Sequence, residues 1–146
     1  MENHLAEIMV SYSTQNAVKQ KITSSQVAFQ ILLNSWNSNR LELQEECKVL
    51  LLNRGNKALG VYHLSKGGVS GTVVDVKLVF AVALKCNASG IILCHNHPSG
   101  NLSPSEADKV ITSKIKKAGE LLDISLTDHL IITTEGYYSF SENGLL

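Results

Sequence analysis

Apolar residues in this chain change period several times, and each change marks an element. From Ser24 and Ser25 onward, Val27, Ile31, Leu32 and Trp36 recur at helical spacing behind a serine suited to cap the helix. Glu46 to Asn53 and Ala58 to Leu64 are strand-like, and the turn-forming run Arg54-Gly55-Asn56-Lys57 between them predicts a hairpin. Gly67 and Gly68 then break the chain. Thr72, three residues ahead of Asp75, makes a capping-box-like start to the apolar segment Val73 to Cys86, whose all-round hydrophobicity predicts a buried helix. Asn87 to Gly90 read as a turn and Ile91 to Cys94 as a short buried strand. Ser103 is the predicted N-cap of a further helix, with Pro104 at its first position and Glu106 closing a capping box. That helix runs to about Leu122 with Ala107, Ile111, Ile115, Ala118 and Leu122 on one face. Leu126 to Thr133 and Tyr137 to Phe140 flank the turn Glu135-Gly136 as the last two strands. Ahead of all these, the first 22 residues hold one strand candidate, Ile8 to Tyr12.

Helices mixed with a hairpin and further strands predict an α/β or α+β sandwich, a mixed β-sheet flanked by helices. A chain of 146 residues suits a single core. Residues 1–40 read as an N-terminal extension, with a strand and a helix, packed on the domain formed by residues 41–146.

Composition narrows the class. A hydrophobic fraction of 44% and a charged fraction of 18% belong to a soluble globular protein, and the longest apolar run, Leu78 to Leu84, is too short to span a bilayer. Glu2, His4 and Glu7 interrupt any apolar core of a signal peptide. Cys47, Cys86 and Cys94 show no paired spacing, so they read as small buried residues of a reducing compartment, and the cytoplasm is the expected location. Thirteen basic and 13 acidic residues give a net charge of zero, which argues against attraction to nucleic acid or lipid. Lys114, Lys116 and Lys117 form a local basic cluster of the kind solvated helices carry. Oligomeric state stays open, since an edge strand can pair with a second copy.

The candidate chemistry lies in HNHPSGNLSPSEAD. His95 and His97 are two apart at the end of a strand, where alternate side chains share a face, so both imidazoles can point at one ion. Asp108 lies on the first turns of the following helix and can be carried back to the same point. Two neutral nitrogens and one carboxylate suit zinc, and three protein ligands leave a position for water. A zinc nucleobase deaminase needs H-x-E and P-C-x-x-C, and neither occurs. The letters HNH are consecutive here, unlike the widely spaced residues of the nuclease motif of that name.

This string resembles the JAMM metalloprotease motif of His, any residue, His, seven residues, Ser, two residues, Asp, onto which His95, His97, Ser105 and Asp108 fall without a gap. NASGIILCHNHPSG, SEADKVITSKI and TDHLII narrow the resemblance to the RadC-like branch, from about Leu43 to the C-terminus. The resemblance implies a cytidine-deaminase-like JAB/MPN sandwich and one zinc ion held by His95, His97 and Asp108. It further implies a glutamate that takes a proton from water and a serine, Ser105, that hydrogen-bonds the developing oxyanion. Glu45 is the candidate base, because it shares a strand face with Cys47, Val49 and Leu51, whereas the alternative, Glu46, shares one with Lys48 and is expected to face solvent. The implied activity is that of a zinc metallopeptidase acting on peptide or isopeptide bonds of a peptide or protein substrate. The alternative is a DNA-repair-associated or protein-interaction module without hydrolytic activity; no glycine precedes Gly55, so the helix-hairpin-helix region of longer members is not expected here. Asp128 and His129 match the family segment and are expected to make structural hydrogen bonds.

Overall fold

In the computed structural model, which describes residues 4–68 and 71–146, the chain runs α1 (Ser25–Ser35), β1 (Glu46–Leu52), β2 (Ala58–Lys66), α2 (Val76–Lys85), β3 (Gly90–Asn96), α3 (Glu106–Leu121), β4 (Ser125–Thr133) and β5 (Gly136–Ser139). The strands form one sheet in the order β2-β1-β3-β4-β5. Only β3 and β4 are parallel, joined through α3; the other neighbours are antiparallel. Mixed pairing with helices on both faces is the α+β architecture read from the sequence.

Alternation on the central strands builds two layers of core. Val49, Leu51, Ile91 and Leu93 pack with Val79, Phe80 and Ala83 of α2 and Ile115 of α3. Their neighbours Leu50, Leu52, Ile92 and Cys94 point the other way and pack with Ala28, Phe29 and Leu32 of α1. Strands covered on both faces are apolar at nearly every position, which explains the unbroken runs in β1 and β3. The predicted hairpin is present, its turn tied by Asn53 Oδ1 accepting from the amides of Gly55 and Lys57. Cys47, Cys86 and Cys94 are buried free thiols. Among the described residues no helix is long and apolar enough to cross a membrane.

Four expectations need correction. Ile8 to Tyr12 form no strand: their side chains are exposed, and the bridge ahead of β1 is made by Lys21, to Lys57. Three apolar residues in a row lack the alternation that gives a strand one face to bury, and strand propensity alone makes no ladder. α2 begins one turn later than read, because Asp75, not Thr72, caps it by accepting from the Leu78 amide; the Thr72 hydroxyl pairs with Ser65 instead. Nor is α2 buried all round, since Leu84 is 51% exposed.

The third correction bears on the site. α3 is capped by Ser105, with Asp108 closing the box, and not by Ser103 with Glu106. Both frames satisfy the serine-x-x-acid rule, and contacts of Asp108 with two histidines select the second. Fourth, the buried stripe of α3 is Thr112, Ile115 and Gly119, while Ala107 and Leu122 lie outside it. Gly119 lies where α3 packs tightly on the following chain: a Cβ there would collide with the Ile124 carbonyl oxygen. Gly119→Ala is therefore expected to lower stability by roughly 1–3 kcal/mol through overpacking, although alanine is the better helix former. Urea denaturation of the two proteins measures it.

Candidate metal centre

The site lies where β3 ends and the chain turns away from its parallel neighbour β4 towards α3, a crevice beyond the carboxyl end of a strand. His95 continues the face of Ile91 and Leu93 and pairs across the ladder with Cys47. His97 lies one residue past β3, its amide donating to the Ile132 carbonyl at 3.1 Å. A tight turn follows, in which Gly100 takes φ 85° and donates to the His97 carbonyl. That turn returns the Asn101 carbonyl to within 2.6 Å of His97 Nδ1.

Glu45 precedes β1 and is held by its backbone, exchanging 2.8 Å hydrogen bonds with Gly67 and Gly68. Asn96, between the two histidines and fully buried, points to the opposite face. There its Oδ1 accepts from the Glu46 amide, and its Nδ2 donates to the carbonyls of Leu41 and Gln44. One asparagine thus locks the segment carrying Glu45 to the strand carrying His95. Asp108 is placed by the α3 cap: its Oδ2 accepts from the Ser105 amide at 2.8 Å, and Ser105 Oγ accepts from the Asp108 amide at 3.0 Å.

These elements bring Glu45, His95, His97 and Asp108 together. His95 Nε2 and His97 Nε2 are 3.0 Å apart. Asp108 places Oδ1 3.3 Å from His95 Nε2 and Oδ2 3.4 Å from His97 Nε2, and Glu45 Oε1 lies 3.8 Å from His95 Nε2. Glu45, His95 and His97 offer ligand atoms all within 4.8 Å of one another, a group that can hold a metal ion. Asp108 lies nearer to both imidazoles than Glu45 does to His95. Metal–ligand bonds of zinc length, arranged tetrahedrally, put neighbouring donor atoms about 3.3–3.4 Å apart, and the separations among His95, His97 and Asp108 are close to that. The donor set fits a zinc ion.

Charge follows the packing. Burial raises the Glu45 carboxyl, with Asp108 adding to the rise and His95 and His97 opposing it. Burial works against the Asp108 carboxylate as well, but the His95 and His97 rings beside it outweigh that and hold the group far below the ordinary aspartate range. The Asp108 carboxylate beside it raises His97, and burial pushes His129 well down. Glu45, Thr72, His97, Ser105 and Asp108 line one cleft of about 600 Å³.

Residues 22–145 match the sequence profile of the RadC-like JAB domain. The chain belongs to that family. A UPF0758 protein of Flavobacterium johnsoniae is 55% identical over 127 residues, which cover 86% of this chain and 54% of the relative. One from Porphyromonas gingivalis is 51% identical over 104 residues, 70% of this chain and 46% of the relative. The chain thus spans about half the length of these curated relatives. The UPF0758 protein YfjY of Escherichia coli is 35% identical over 146 residues, 100% of this chain and 83% of the relative. Five strands in one mixed sheet with three helices agree with the JAB/MPN fold.

Within this RadC-like JAB domain, two readings from strand alternation part company. Glu45 is directed into the site as expected, but Glu46 and Lys48 do not face solvent: both are 2% exposed. Lys48 Nζ donates to the Ser35 carbonyl in the last turn of α1 while lying 4.4 Å from the centre of the Trp36 ring. Glu46 Oε1 lies 3.9 Å from Arg40, away from the cleft. Asp128 does make structural bonds, accepting from Ser25, Ser139 and the amides of His129 and Ser141. His129 does more, since its ring reaches His95. Sequence reasoning missed Asn96, Thr112 and this contact of His129; a fully polar side chain inside a buried strand was the available signal for Asn96.

Proposed function

We propose that this domain is a zinc-dependent amide hydrolase that cleaves peptide or isopeptide bonds in a peptide or protein substrate. The observation that carries the reading is the convergence of His95, His97 and Asp108 within 3.4 Å contacts, where His97, Asp108 and Glu45 line one cleft. His95, His97 and Asp108 would hold the ion. Glu45 is given the proton-carrying role in place of a ligand's, because its approach is longer and burial raises its carboxyl, a property suited to taking and returning a proton. When bound, zinc supplies Lewis acidity, polarising a carbonyl and making water nucleophilic near neutral pH.

The residues divide the remaining work. Glu45 accepts the proton of the attacking water at a carboxylate oxygen and delivers it to the departing amine. Asp108 contributes the negative charge that holds the cation, with its carboxylate fixed by the Ser105 amide. Ser105 Oγ accepts in the helix cap, which leaves its hydroxyl proton for the oxygen that gains charge during attack. A cytoplasmic setting accords with three free, buried cysteines.

Ser105→Ala separates the two roles of that serine. It is expected to cost about 1 kcal/mol of stability as a lost cap and about 10²-fold in kcat as a lost donor, at unchanged zinc content. Ser105→Thr, which keeps hydroxyl and cap, should retain most of both.

The reading itself is tested by incubating zinc-loaded and chelator-treated protein with a peptide and isopeptide library and analysing products by mass spectrometry. Cleavage that needs zinc and vanishes in Glu45→Gln supports it. Absence of amide cleavage by the loaded protein, together with tight duplex or single-strand DNA binding at moderate salt, would point to the DNA-associated alternative.

A further inference from the structure

Behind the site, a chain of hydrogen bonds runs from a backbone carbonyl to His95. Thr112 Oγ1 lies 2.7 Å from the Asp108 carbonyl oxygen and 2.5 Å from His129 Nδ1, and His129 Nε2 lies 2.8 Å from His95 Nδ1. Thr112, His129 and His95 are all buried.

A carbonyl oxygen only accepts, so the single hydroxyl proton of Thr112 is committed to Asp108. Towards His129 the same oxygen must then accept, which places a proton on His129 Nδ1. A neutral imidazole carries one proton, so His129 Nε2 is a bare acceptor, and the proton in its bond with His95 belongs to His95 Nδ1. His95 Nε2 is thereby left with a free lone pair. That atom faces His97 Nε2 and Asp108 Oδ1 in the site. On the other side the Asn101 carbonyl imposes the same tautomer on His97 through Nδ1.

We infer that Thr112 and His129 are positioning residues: a relay from the Asp108 carbonyl through both of them sets the tautomer of His95 and turns its bare Nε2 towards His97 and Asp108. Helix α3 supplies both ends, since Asp108 gives a carboxylate to the site and a carbonyl to the relay. The inference rests on His95 being a zinc ligand, for which ring orientation and tautomer govern affinity. Phe140 stacks on His129 at 4.5 Å between ring centres and holds its plane.

The test uses ¹⁵N-labelled, metal-free protein in mildly alkaline solution, with long-range proton–nitrogen correlation spectra reporting which ring nitrogen carries each proton. Wild type should show His95 and His129 both protonated on Nδ1. Thr112→Val removes the committed acceptor; His129 should then lose its single tautomer, and zinc affinity, measured by competition with a chromophoric chelator, should fall roughly 10–100-fold. Thr112→Ser should restore both. A wild-type His95 protonated on Nε2 overturns the relay, as does a Thr112→Val protein with unchanged tautomers and zinc affinity. Because the wild-type spectrum is recorded without metal, failure of the relay is distinguishable from failure of the zinc reading, which would show as absent zinc uptake with the tautomers as described.

Discussion

Glu45→Gln is expected to keep its zinc and to lose amide hydrolysis by roughly 10²–10⁴-fold in kcat. Glutamine matches glutamate in size and keeps one carbonyl oxygen, but it cannot take a proton from water or return one to an amine. The fold has no reason to change. Position 45 is held by backbone bonds to Gly67 and Gly68 and by the Asn96 clamp on its neighbours, none of which uses its side chain. Burial already disfavours the charge of this carboxylate, so neutralising it costs the fold little. Zinc content by elemental analysis and kcat on a substrate from the peptide screen check the two halves of this result.

The opposite pattern is expected of Asp108→Asn, in which zinc and activity disappear together. Asp108 is the only anion in the proposed ligand set, and its carboxylate touches both imidazoles at 3.3 Å and 3.4 Å. An amide oxygen is a far weaker donor to zinc, and the change leaves the cation facing two neutral rings. Folding should survive, because asparagine can still accept from the Ser105 amide and preserve the capping arrangement of α3. Circular dichroism matching wild type, with zinc near zero and no hydrolysis above background, is the expected outcome. An unfolded variant would instead show that the cap, and not the metal, had failed.

How much of this was legible in the chain depends on whether a feature is local. The hairpin, the strand leading into His95 and the presence of α3 follow from spacing within a few residues, and so does the convergence of His95 and His97 on one strand end. The choice between two overlapping caps was not local: Ser103 with Glu106 and Ser105 with Asp108 are equally good by pattern, and contact with the histidines of β3 separates them. Alternation told which residues share a face with Glu46, but not that α1 lies on that face. Lys48 therefore looked solvated while it is enclosed with Trp36. The relay behind His95 was out of reach for the same reason. His129 comes from β4, 34 residues beyond His95, and Thr112 from α3, 17 residues before His129; no periodicity joins them. Ile8 to Tyr12 failed in the other direction, since a short apolar run is present locally and no ladder is formed with it.

The most direct test of the central claim is the zinc-to-chain ratio, by elemental analysis after metal-replete expression, of wild type, Glu45→Gln and Asp108→Asn prepared side by side. A site built from His95, His97 and Asp108, with Glu45 as the proton carrier, predicts about one zinc ion per chain in the first two and none in the third. Zinc absent from wild type, or zinc lost from Glu45→Gln and retained by Asp108→Asn, would contradict it.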